Sequence, residues 1–167
     1  MQSLMKTSAF LMMCLQVANA HDHEDDHDHD HATHVYYDWY AHNAMPTARS
    51  DMTATTVGEG IYVLGGCASN QLYNYGDDYY YCGNFDGVTD VASLYLPESK
   101  AWRVLPAMPR KRYRHAAAAV NTDIYVFGGT DDSDNIVYQV DKFDTVTETW
   151  STLSQTMTNA YRDLSAL

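Results

Sequence analysis

At 167 residues the chain is long enough for one compact domain. Its hydrophobic content of 46%, with 14 tyrosines, excludes wholesale disorder. A formal net charge of −12 repels phosphate backbones, so no nucleic acid partner is expected, and no stretch supplies the roughly 20 apolar residues of a membrane-spanning helix. The chain opens with Lys6, an apolar run from Ala9 to Leu15 and Ala18-Asn19-Ala20. Charge, short apolar run and small-x-small end predict a signal peptide over 1–20, cut after Ala20, and hence an exported chain. The segment 21–34 follows. Its core, His21 to His31, contains only His, Asp and Glu and holds six negative charges, leaving 16 acids against 9 bases for the body. A stretch with nothing to bury is expected to be disordered. It reads either as a solvated spacer or as a metal-binding tail, with His21, His23, His27, His29 and His31 offering imidazoles to Cu, Zn or Ni. Cleavage after Ala20 would place a free amine on His21 and an imidazole at the third position, His23, a set that wraps Cu(II) or Ni(II) in a square plane. The Asp residues between the imidazoles would raise their basicity.

Beyond the tail the chain says nearly the same thing twice. Gly58-Glu-Gly-Ile-Tyr-Val-Leu-Gly-Gly66 returns 63 positions later as Asn121-Thr-Asp-Ile-Tyr-Val-Phe-Gly-Gly129. Ala44-Met45-Pro46-x-x-Arg49 returns as Ala107-Met108-Pro109-x-x-Arg112, and Trp39, Trp102 and Trp150 close the units. A fixed-period echo of this kind signals a solenoid or a propeller. In order, the elements expected are a strand within 35–46, strands at Thr53–Val57 and Ile61–Gly66, an insertion over Cys67–Asp90, and strands at Val91–Leu96 and Ala101–Leu105. A second set begins at His115–Val120 and Ile124–Gly129, passes Phe143-Asp144 and ends at Trp150–Leu153. Propensity alone favours helix for the alanines of His115–Val120. The Thr-rich counterpart, Pro109 and the Asn121–Asp123 turn favour strand, which is the reading adopted. The all-apolar run Ile124–Phe127 is expected to be covered on both faces.

Met-Pro, Arg, Ile-Tyr-Val-x-Gly-Gly, Phe143-Asp144 and Trp150, in that order and partly duplicated, resemble the kelch repeat over residues 35–167. The resemblance implies an all-β fold of four-stranded antiparallel blades in a β-propeller. The chain then divides into a closing strand at 35–46, blade one at 47–107, blade two at 108–156 and the start of a next blade at 157–167. That is two complete blades with a leading and a trailing strand. Propellers need about 4–8 blades, so further blades are expected, from missing C-terminal sequence or from other copies of the chain.

Two features stand out from the repeat. The insertion carries Tyr73, Tyr75, Tyr79, Tyr80 and Tyr81, and it is bracketed by Cys67 and Cys82, the two cysteines left once the leader with Cys14 is removed. An even count in an oxidising compartment reads as a disulfide, with a metal pair or free thiols the alternative. Tyrosine supplies rigid amphipathic contact area, so the insertion reads as a recognition loop or as a loop folded on its own blade. The second feature is the basic run Met108–Arg114. Arg112 matches the repeated arginine and reads as structural, leaving Arg110, Lys111 and Arg114 for a ligand. Successive connections in an antiparallel blade alternate between its faces, so insertion, basic turn and tail are expected on one face.

The expected function is a secreted recognition module that binds a protein or glycan through the Tyr-rich loop and basic turn. The alternative is a metal-binding secreted protein, or the front of a copper enzyme of the galactose oxidase type that the resemblance also brings in. The body offers only His34, His42 and His115 as imidazoles and no Ser/His/Asp or paired-carboxylate set. No catalytic residue is expected here, and His115 reads as a structural residue of the repeat.

Overall fold

Two four-stranded antiparallel sheets build the larger of the chain's two units, Met45–Leu167. The computed structural model describes residues 16–17, 37–38, 41–68, 72–75, 78–82 and 87–164. In the smaller unit, Met1–Ala44, β1 (Gln16–Val17) pairs antiparallel with β2 (Tyr37–Asp38). Of the expected strand over 35–46, Tyr37–Asp38 is a strand and Ala41–Pro46 lies outside any strand.

The first sheet takes β3 (Thr53–Val57), β4 (Gly60–Leu64), β7 (Ala92–Leu96) and β8 (Ala101–Val104), in that spatial order. The second takes β9 (Ala116–Val120), β10 (Asp123–Phe127), β11 (Gln139–Asp144) and β12 (Thr149–Thr156). Their registers coincide. Ile61 stands opposite Tyr95 and Tyr95 opposite Trp102, as Ile124 stands opposite Phe143 and Phe143 opposite Trp150. The alanine run is a strand. Ala116 and Ala117 are buried on β9, which lies beside β3, and a small side chain is what that close approach tolerates.

The core lies between the sheets. Tyr62, Leu64 and Leu94 of the first meet Ala117, Ile124, Val126 and Phe143 of the second, with Leu105 and Met108 of the connecting segment. Phe143 sits 4.8 Å from Trp150 and 6.2 Å from Tyr62, ring centre to ring centre. The expectation that both faces of Ile124–Phe127 are covered holds for one. Ile124 and Val126 are fully buried, whereas Tyr125 and Phe127 on the opposite face are half-buried.

The trailing run begins as the second blade does. Met157–Leu164 is a loop that repeats the course of Met108–His115. Met157 N–H donates to Tyr138 O at 2.9 Å, as Met108 N–H donates to Asp90 O at 2.9 Å. Gly129 N–H donates to Tyr161 O at 2.8 Å where Gly66 N–H donates to Arg112 O at 2.9 Å. The run is thus the approach to a first strand and not the strand itself. Tyr161 takes the place of Arg112, and Arg162 pairs with Asp134 at 3.6 Å.

Candidate functional site

Two arginines at repeat-equivalent positions anchor the turns that carry the candidate surface. Arg49 donates to Val91 O at 2.6 Å and to Ser93 Oγ at 3.2 Å. Arg112 donates to Gln139 O at 3.5 Å and to Asp141 Oδ2 at 2.5 Å. Because Tyr95 and Phe143 are equivalent, Val91 matches Gln139 and Ser93 matches Asp141. Each arginine therefore ties the turn before its sheet to that sheet's third strand. Burial lowers both guanidinium pKa values to about 10; for Arg112 the Asp141 carboxylate works against burial and the neighbouring Arg110 adds to it. Arg49 alone lacks a carboxylate at the equivalent position. Ser93→Asp is expected to stabilise the fold by about 1.5–3 kcal/mol, because a cation already buried gains a charged acceptor. Urea unfolding checks it, and the gain should vanish in an Arg49→Met background.

The connection between β4 and β7 and the turn before β9 meet on one face, as the alternation of connections requires. Cys67 bridges to Ser50 on one side and to Val88 on the other, and Thr130 bridges likewise to Tyr113 and Ile136. Arg112 N–H donates to Thr89 O at 3.3 Å, so the base of the insertion lies against the turn. Cys67 and Cys82 form a disulfide with Cα atoms 6.0 Å apart. Both cysteines, Val88 and Tyr113 make one buried cluster, which seats the disulfide on the turn. Within the insertion, β5 (Leu72–Tyr75) pairs antiparallel with β6 (Asp78–Tyr81), setting Tyr73 opposite Tyr80, Asn74 opposite Tyr79 and Leu72 opposite Tyr81. All five predicted tyrosines thus fall on one hairpin.

Each of the basic turn's predicted binding cations lies beside an aspartate. Arg110 Nη1 donates to both Asp141 oxygens at 2.7 Å, and Lys111 Nζ lies 3.1 Å from Asp132. Arg114 Nε lies 3.6 Å from both Asp51 and Asp163, with its guanidinium 5.6 Å from the Tyr113 ring centre. A run that is locally all cation is neutralised by aspartates from four other places in the chain. The predicted metal residues His21, His23, His27, His29 and His31 lie outside the described residues, and no cluster of three metal-binding side chains occurs among the described ones.

His115 emerges with more weight than its sequence position suggested. It is 4% exposed, and neither ring nitrogen has a hydrogen-bond partner of good geometry. It is wedged between the glycine pairs of the two sheets. A Cβ on Gly65 would stand 2.7 Å from its Cε1, and one on Gly129 2.7 Å from its Cβ. Burial first, then the Arg112 charge, lowers its pKa to about 3 against a small opposing pull from the Leu64 backbone.

The family model of the Kelch motif matches residues 111–157. Residues 111–157 carry a Kelch motif. Relatives include an F-box/kelch-repeat protein of Arabidopsis thaliana, 32% identical over 65% of this chain and 25% of its own length. The Kelch-like protein terF of Aspergillus terreus is 30% identical over 69% of this chain and 24% of its own. Kelch-like protein 38 of Mus musculus is 24% identical over 70% and 18%. The chain spans about a quarter of the length of the curated relatives it first matches. Among solved structures, YjhT superposes with a TM-score of 0.54 at 19% identity, covering 69% of this chain and 41% of that one, a likeness of fold. The two sheets are kelch propeller blades. Kelch repeats generally mediate protein binding, and no helix among the described residues is long and apolar enough to cross a membrane.

Proposed function

We propose that this chain is a secreted recognition module that binds a protein through its Tyr-rich hairpin. The observation that carries this reading is the seating of the Cys67–Cys82 disulfide on Tyr113. Both ends of the insertion are thereby fixed on the blade, so less ordering entropy opposes binding at its tip. Five tyrosines on a pre-organised hairpin supply large contact area with few rotatable bonds. The basic turn supports the hairpin and does not itself supply free charge, since its cations are spent on aspartates. Export follows from the leader over 1–20, and an oxidising compartment is where such a disulfide persists.

The test immobilises the mature full chain, captures partners from the extracellular fluid of its source, and repeats the capture with Tyr73→Ser/Tyr80→Ser. Binding of the identified partner should weaken at least about tenfold, as loss of aromatic anchors does. Equal affinity for both proteins, at equal thermal stability, sinks the hairpin as the site. Binding to a glycan array with no captured protein replaces the protein ligand by a sugar.

A further inference from the structure

We propose that His115 is an acid latch: its protonation opens the Arg112–His115 turn away from blade one and frees the base of the disulfide-pinned insertion. The geometry leaves an imidazolium nowhere to stay. Its Cε1 lies against Gly65 and its Cβ against Gly129, and neither buried nitrogen has a hydrogen-bond partner of good geometry. A charge there would be desolvated, and the Leu64 backbone offsets only part of that cost. The charged groups around it add to the penalty. On its own turn the Arg112 guanidinium acts on it, and Arg114 precedes it in sequence. The carboxylates beside those arginines are committed: Asp141 of β11 to Arg110 and Arg112, and Asp51 and Asp163 to Arg114. The glycine turns of the two blades, Leu64–Cys67 and Gly128–Thr130, bring no titratable side chain apart from the disulfide-bonded Cys67.

Proton linkage then fixes the direction. The closed turn holds His115 neutral and the open turn lets it take its ordinary value near 6.5, so the open form binds more protons. The closed form is therefore fully favoured above about pH 6.5 and loses ground as pH falls towards the closed-state value. The opening equilibrium should rise about 30-fold between pH 7.5 and pH 5.0, a window above the range where ordinary carboxylates titrate. Opening breaks the bonds from Gly66 N–H to Arg112 O, from Arg112 N–H to Thr89 O and from Arg114 N–H to Asp51 O. It also lifts Tyr113 from Cys67, Cys82 and Val88. The latch stands independently of the proposed ligand.

Hydrogen exchange on the full chain tests it, with each amide corrected for the intrinsic pH dependence of exchange. Protection of Gly66, Arg112 and Arg114 should fall about 30-fold from pH 7.5 to 5.0 while β7 and β11 amides stay protected. In His115→Gln, which has no proton to take up, the same three amides should show no such fall. Equal loss across β7 and β11, or an unchanged slope in His115→Gln, overturns the proposal. If that variant does not fold, the 13C-labelled imidazole of the wild-type chain decides. A folded-state signal that shows no titration down to pH 5 while exchange rises supports the latch. A ring that titrates in place near 6.5 with turn protection intact overturns it.

Discussion

Asp141→Asn is expected to destabilise the protein by about 3–5 kcal/mol, the cost of leaving a buried charge without its partner. Asp141 is 1% exposed and takes both Nη1 contacts of Arg110 at 2.7 Å, Nη2 of Arg112 at 2.5 Å and the hydroxyl of Thr152 at 2.6 Å. Asparagine fills the same volume, so no cavity complicates the comparison. It removes the negative charge and turns one acceptor into a donor aimed at guanidinium N–H groups. Arg112 is fully buried and cannot move into water without dismantling the turn. Arg110 retains some exposure and can swing out, so most of the loss belongs to Arg112. The measurement is the urea midpoint at constant slope. In Arg112→Met the further change Asp141→Asn should cost much less, since the two share one interaction. A loss below about 1 kcal/mol for Asp141→Asn in the wild-type chain would falsify the view that this pair organises the turn.

That pair also marks where sequence reading ran out. The strands were legible because the echo of Ile-Tyr-Val-x-Gly-Gly, together with the tryptophans, sets the same register twice, and it overrode the helical propensity of Ala116–Ala119. The alternation of connections placed insertion and basic turn together, and the cysteine count paired Cys67 with Cys82. Partner choice for the basic turn was not legible. Arg110, Lys111 and Arg114 look like free cations because their carboxylates, Asp141, Asp132, Asp51 and Asp163, come from other turns and strands. One signal existed: aligning Tyr95 with Phe143 sets Ser93 against Asp141, and that single difference separates a buried arginine with a counterion from one without. At the start of the next blade, the described residues Met157–Leu164 form only the approach to a strand, as Met108–His115 do before β9. Half-burial of Tyr125 and Phe127 follows from tertiary neighbours, which an apolar run cannot report.

Gly129→Ala should destabilise by about 3–5 kcal/mol, the sum of an unfavourable backbone and an overfilled junction. Gly129 has φ of 79°, in the left-handed region. Its added Cβ would stand 2.5 Å from Tyr113 O, 2.7 Å from His115 Cβ and 3.0 Å from His115 Cα. Two of those three atoms are backbone, so relief requires moving the turn that Arg112 holds to β11. Gly58→Ala separates the two contributions. Gly58 has nearly the same kind of backbone, φ 58°, but a Cβ there meets nothing within 4 Å. It should cost only the left-handed penalty, about 1–2 kcal/mol. The difference between the two variants, read from thermal unfolding of each, isolates the contact between the Gly128-Gly129 turn and His115. Equal losses would mean that the second glycine of the repeat is there for its dihedral angles alone. A clearly larger loss at Gly129 means that the glycine pair is also a slot cut for the histidine, and that repeat signature and junction packing are one requirement seen from sequence and from structure.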